Sequence, residues 1–294
     1  MASVGRLITA MVTPFDTQGQ VDYHQSRRLA SALLDSGSDG LVVSGTTGES
    51  PTLKLDEKLR LFSEIKDELG DRGSVVAGTG NYSTSESIEL TQEAERLGVD
   101  AALLVVPYYN KPTQDGLFQH FKAIAESTSL PCILYNVPSR TITSLSWETV
   151  LKLSTIDKII GIKEASGDFD QIGRILHGAP DGFRVWSGND NDTFGLLSMG
   201  GYGVISVASH LVGNQIRNMM DLLLEGKLAE SSREHLRLWP IFKGLFILSN
   251  PIPVKYCLNY EGFDVGKPRL PLVEPDDQSA RQLQDLVKSY KIDL

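Results

Sequence analysis

Cys132-Ile133-Leu134-Tyr135 and Ile159-Ile160-Gly161-Ile162 are short apolar runs separated by one amphipathic stretch at 146–153. Four residues are too few for a helix, and apolarity that is near-continuous rather than alternating suits strands covered on both faces. A β-α-β unit follows. The same unit recurs outward in both directions. Further runs, rich in Val and Ile, lie at 7–12, 40–43, 74–77, 101–106, 183–186 and 204–207. The helical stretches between them fall near 23–36, 55–69, 84–97, 115–127, 168–176, 191–199 and 211–225. Gly37, Gly70 and Gly98 stop three of these, and Ser83 or Thr84 caps the one starting at 84.

Eight such units over residues 1–226 predict an α/β fold of the (β/α)8 type, a TIM barrel. An open doubly wound sheet is the alternative, but no G-x-G-x-x-G fingerprint follows the first strand. Residues 227–294 break the pattern. They read as helices only, at about 228–248, 253–260 and 279–290, and form a C-terminal helical appendage.

Bulk properties narrow the function. The formal net charge of −9 comes with interspersed signs and no Lys/Arg-rich run, so neither nucleic acid nor an anionic membrane has an electrostatic footprint. No apolar run approaches the roughly twenty residues of a membrane helix. The stretch Met1-Ala2-Ser3-Val4-Gly5-Arg6 carries no targeting pattern, so a cytoplasmic location is the expectation. Cys132 and Cys257 sit among apolar residues and read as buried free thiols. The five histidines, at 24, 120, 177, 210 and 235, have no ligand spacing, so no metal site is expected.

In such a barrel the active site gathers at the C-terminal ends of the strands. The second strand ends in Gly45-Thr46-Thr47-Gly48-Glu49-Ser50. Its exposed amides and hydroxyls suit a small carboxylate. The alternative is a plain strand-to-helix turn with Ser50 as the cap. Tyr135 ends the fifth strand, where it either packs the rim or points its hydroxyl into the mouth. Arg140, just beyond, can hold a carboxylate by two parallel hydrogen bonds or stay solvated. Lys163 closes the sixth apolar run, whereas almost every other lysine falls in an amphipathic helix or polar loop. An ammonium there loses hydration, and a nucleophilic amine results. The competing reading has it snorkel or pair with Glu164. Tyr108-Tyr109 and Ser187-Gly188-Asn189-Asp190 lie at the same rim.

Together, Gly45-Thr46-Thr47-Gly48-Glu49, Tyr135-Asn136-Val137-Pro138-Ser139-Arg140 and Gly161-Ile162-Lys163-Glu164 resemble the dihydrodipicolinate synthase family, within the pyruvate-dependent class I aldolase and N-acetylneuraminate lyase superfamily. The motifs keep the family's order and spacing over essentially the whole chain. The resemblance implies a lyase without a cofactor. It condenses pyruvate with L-aspartate 4-semialdehyde through a covalent imine, in the diaminopimelate route of lysine biosynthesis. It further implies Lys163 as the imine former and Tyr135, Thr46 and Tyr109 as a proton relay, with Tyr109 supplied by a neighbouring subunit. Thr47 would hold the pyruvate carboxylate, Ile205 would contact pyruvate through its main chain, and Gly188 would line the site. Arg140 would bind the semialdehyde carboxylate. A homo-oligomer is implied, a homotetramer built as a dimer of dimers.

Feedback-inhibited members bind lysine at the dimer interface through an Asn, a Glu, a Tyr and two histidines. Here Ser50, Tyr82, Glu86 and Tyr108 mark that region. Glu86 and Tyr108 match, Tyr82 stands where the asparagine is expected, and Leu55 and Lys58 replace the histidines. A cationic Lys58 disfavours a cationic effector, so weak or absent lysine inhibition is expected. The sister activities, N-acetylneuraminate lyase and keto-deoxy sugar-acid aldolases, share the lysine and tyrosine but usually lack a counterpart of Arg140. A non-catalytic barrel that senses an oxo acid is the reading from a different class.

Overall fold

In the computed structural model, which describes residues 4–294, eight parallel strands close into a barrel in sequence order. They are β1 (Leu7–Ala10), β2 (Gly40–Val43), β3 (Ser74–Gly78), β4 (Ala101–Val105), β5 (Cys132–Asn136), β6 (Ile159–Glu164), β7 (Arg184–Ser187) and β8 (Gly203–Ser206). Pairing of β1 with β8 completes the ring. Met1, Ala2 and Ser3, part of the stretch read for a targeting signal, lie outside the described residues.

Strand periodicity sorts the side chains into two cores. Ile8, Val42, Val76, Ile133, Tyr135, Trp186 and Ile205 fill the barrel interior. Leu104, Leu134, Ile162 and Val185 face the surrounding helices. Gly161 is a steric requirement of this arrangement. A Cβ there would stand 2.2 Å from the Arg184 carbonyl oxygen and 2.7 Å from the Trp186 ring.

Three local expectations need correction. β6 does not stop at Ile162 but continues through Lys163 and Glu164, because Lys163 pairs with Tyr135 of β5 and Trp186 of β7. Arg140 is not on a loop; it lies on a one-turn helix, Pro138–Thr141, with proline favourably at the first position. Ser50 does not cap the following helix. It opens a 3₁₀ turn, Ser50–Thr52, and the helix Leu55–Leu69 starts beyond it, where Glu57 accepts from the Lys54 amide at 2.8 Å.

The tail is helical as expected: Leu228–Gly244, Ile252–Tyr260 and Asp277–Lys288. The first packs along the helix Ser209–Leu224. The second carries Lys255 deep enough to donate to the Thr13 carbonyl at 3.0 Å, against the catalytic end of the barrel. Cys132 and Cys257 are free and buried, and burial pushes both thiols up to about 12. No helix among the described residues is long and apolar enough to cross a membrane.

Candidate active site

Alternation along β6 decides the character of its last two residues. Ile162 faces the helices, so Lys163 turns into the barrel and Glu164 turns out. The Lys163 Nζ stands 4.5 Å from the centre of the Tyr135 ring. The residue is 5% exposed, which removes the snorkelling alternative. Glu164 does not pair with it. That carboxylate accepts from Asn136 Nδ2 at 3.1 Å, Gln171 Nε2 at 3.0 Å and the Ser166 amide at 2.8 Å. Among the described residues no carboxylate lies within 4.0 Å of the Lys163 nitrogen. Burial lowers the Lys163 ammonium to about 8, opposed by the charge of Asp190 and assisted by Arg140.

Asp190 was unremarkable in the sequence, one polar residue of a strand-end loop. In the fold it is wholly buried, and accepts from the Ser206 hydroxyl and from the amides of Val207 and Ala208, the latter at 3.0 Å. Those donors keep a carboxylate tolerable in a site from which water is largely excluded. Burial still raises its proton affinity, and Lys163 counteracts.

The turn after β2 is tied down from several sides. Glu49 and Ser50 donate their amides to the Thr46 and Gly45 carbonyls, and the Thr13 hydroxyl donates to the Gly48 carbonyl at 2.7 Å. Glu49 itself is left-handed, with φ 56°. Lys255 Nζ donates to its carboxylate at 2.9 Å, both side chains essentially inaccessible, and the Arg269 amide donates to it at 2.8 Å. Lys255 sits 206 residues from Glu49, so no local pattern announced the pair.

Thr46, Thr47, Tyr135, Arg140, Lys163 and Gly188 line one cavity of about 170 Å³. Gly188 has no room for a side chain: a Cβ would lie 3.1 Å from the Lys163 Cε and 2.6 Å from the Ala165 Cβ. Burial raises the Tyr135 phenol above its ordinary value, with Arg140 and the Thr46 hydroxyl drawing it back. A primary amine of moderate basicity, the Tyr135 and Thr46 hydroxyls and a guanidinium therefore converge on one small cavity. Two expected residues are not brought to this cavity. Ile205 is wholly buried in the interior core, and Tyr109 is 94% exposed, with φ 75°.

A second cavity of about 410 Å³ adjoins the first and shares Thr46, Tyr135 and Arg140 with it. Ser50, Lys58, Tyr82, Glu86 and Tyr108 line its far side. Leu55 is exposed and takes no part. Asn81, which the sequence reading passed over, lines it as well and donates to Glu86 at 3.1 Å. Burial lowers the Lys58 ammonium, and Glu86 pulls it back up.

A family model described as the dihydrodipicolinate synthetase family matches residues 3–290. A 4-hydroxy-tetrahydrodipicolinate synthase of Dehalococcoides mccartyi is 58% identical over 294 residues, covering 100% of this chain and 99% of that protein. Two solved structures superpose closely. A dihydrodipicolinate synthase from Bacillus anthracis gives a TM-score of 0.97 at 43% identity, covering 99% of each chain. An enzyme of the same name from Cyanidioschyzon merolae, solved with lysine bound, gives 0.96 at 43% identity, covering 97% of each chain.

Proposed function

The chain belongs to the dihydrodipicolinate synthetase family, and from that premise we propose that it condenses pyruvate with L-aspartate 4-semialdehyde through an imine on Lys163. The observation that carries this reading is the buried, unpaired Lys163 sharing one small cavity with Tyr135, Thr46, Thr47 and Arg140.

Chemistry follows from the amine. With an ammonium at about 8, about a tenth of Lys163 is free base at pH 7, against about 0.03% for a solvated lysine. The free amine attacks the pyruvate carbonyl carbon and water leaves, which yields a cationic iminium. The cation makes the adjacent methyl acidic, and loss of one proton gives an enamine, the nucleophile toward the aldehyde. Each proton movement needs a carrier within the cavity. The Tyr135 phenol, held neutral by burial, carries it in concert with the Thr46 hydroxyl. Tyr109 of a second copy extends the relay, a role that suits its exposure in the single chain. Thr47 binds the pyruvate carboxylate, and Arg140 receives the carboxylate of the semialdehyde by a charge-assisted fork.

The enzyme in this reading is a cytoplasmic homo-oligomer, at least a dimer and by preference a tetramer formed as a dimer of dimers. It needs no cofactor, since the imine itself serves as electron sink. Activity on aspartate semialdehyde, with no turnover of keto-deoxy sugar acids or N-acetylneuraminate, is the expected assay result. The opposite preference would assign the chain to a sister activity.

A further inference from the structure

Asn250 comes from the C-terminal region, just before the helix Ile252–Tyr260, yet it lines the cavity that holds Lys163. Its Nδ2 donates to the Thr47 hydroxyl at 2.8 Å across 203 residues of chain, and both groups are buried. Its main-chain carbonyl accepts from Arg140 Nη2 at 3.3 Å. Its Oδ1 is buried with no hydrogen-bond partner among the described residues. One end of this amide is committed to Thr47 at the expense of the other.

The direction of that hydrogen bond matters. A threonine hydroxyl has one proton and two lone pairs, and an amide NH₂ can only donate. Thr47 must therefore accept from Asn250, and its single proton is left to point elsewhere. Among the described residues the Thr47 hydroxyl proton has no acceptor. A carboxylate accepts and cannot donate, so it is the complement to a hydroxyl fixed as a donor. The reversed amide would instead take the Thr47 proton and present the ligand with lone pairs.

We propose that Asn250 is a positioning residue that fixes the polarity of the Thr47 hydroxyl, so that Thr47 donates to the pyruvate carboxylate. The inference rests on the assignment of Thr47 to that carboxylate. Asn250 acts through Thr47 and touches no reacting atom. Because its tie to Arg140 is through the main chain, replacing the side chain leaves the semialdehyde contact in place.

The test is the pyruvate concentration that half-saturates imine formation on Lys163, read by borohydride trapping and mass spectrometry. It is measured in the wild type, Asn250→Ala, Asn250→Asp, Thr47→Val and the two double variants, with thermal melting as the check on folding. Loss of the amide that holds the Thr47 hydroxyl as a donor toward the carboxylate raises that concentration about tenfold in Asn250→Ala. In Asn250→Asp, which keeps the shape but captures the Thr47 proton, the rise is larger. With Thr47→Val already present, Asn250→Ala adds less than about twofold, because the coupled partner is gone. The semialdehyde KM stays within about twofold in Asn250→Ala.

Equal effects of Asn250→Ala in both backgrounds would overturn the proposal, as would a fall in kcat with no change in pyruvate saturation. If Asn250→Ala and Asn250→Asp both fail to fold, the amide is structural and the proposal is likewise overturned. A wild type that forms no adduct on Lys163 contradicts the imine reading itself, and is thereby distinguished from a failure of this inference.

Discussion

Replacing Lys163 with methionine should abolish the pyruvate adduct and stabilise the protein at neutral pH. The ammonium lies in the barrel interior, where burial lowers its proton affinity from 10.5 to about 8. The folded state therefore holds this proton more weakly than the unfolded chain does. At pH 7 both states are largely protonated, and folding carries the full cost of the buried charge, about 3 kcal/mol. As pH rises the folded state sheds the proton first, and wild-type stability improves between about pH 8 and 10.5. Methionine keeps the length of the stem without the charge. Asp190 loses one favourable charge but retains the Ser206, Val207 and Ala208 donors. Lys163→Met should thus be more stable by up to about 3 kcal/mol at pH 7 and by about 2 kcal/mol at pH 9, an advantage that nearly vanishes by pH 10.5. Urea titrations at the three pH values measure this directly. A variant that is no more stable than wild type at pH 7, or whose advantage does not shrink with pH, refutes the buried-ammonium argument.

Arg140→Ala removes a charge-assisted fork and should lower kcat/KM for aspartate semialdehyde at least about tenfold, while trapping still finds the pyruvate adduct on Lys163. Lys255→Met leaves Glu49 buried without its cation and should destabilise the protein by about 3–5 kcal/mol in denaturant melts. An unchanged midpoint would mean the Lys255–Glu49 pair does not hold the Thr46–Thr47 turn. Free lysine should inhibit weakly, because Lys58 already places an ammonium in the second cavity beside Glu86. Initial rates with sub-millimolar lysine check this, and strong inhibition there contradicts it.

Much of this was legible in the sequence. All eight strands follow from short apolar runs, because a strand buried on both faces leaves a compositional mark. Lys163, Tyr135, Arg140 and the Thr46–Thr47 turn stood out as polar residues at the ends of such runs, and they line one cavity. What escaped was non-local. Asn250 meets Thr47 and Lys255 meets Glu49 across more than 200 residues, and neither Asn250 nor Lys255 sits in a distinctive local pattern. Asp190 looked like one more loop residue, because its role depends on β7 and β8 being neighbours. The short helix under Arg140 was missed because a single turn is too brief for periodicity to register.

The pH profile of reductive trapping tests the central claim most directly. Pyruvate and borohydride at fixed concentration should label Lys163 alone. Once borohydride's own pH-dependent decay is corrected with a small-molecule imine, the labelling rate should climb about tenfold per pH unit below an inflection near 8. An inflection near that of a solvated lysine, or an adduct on any other residue, would contradict the account.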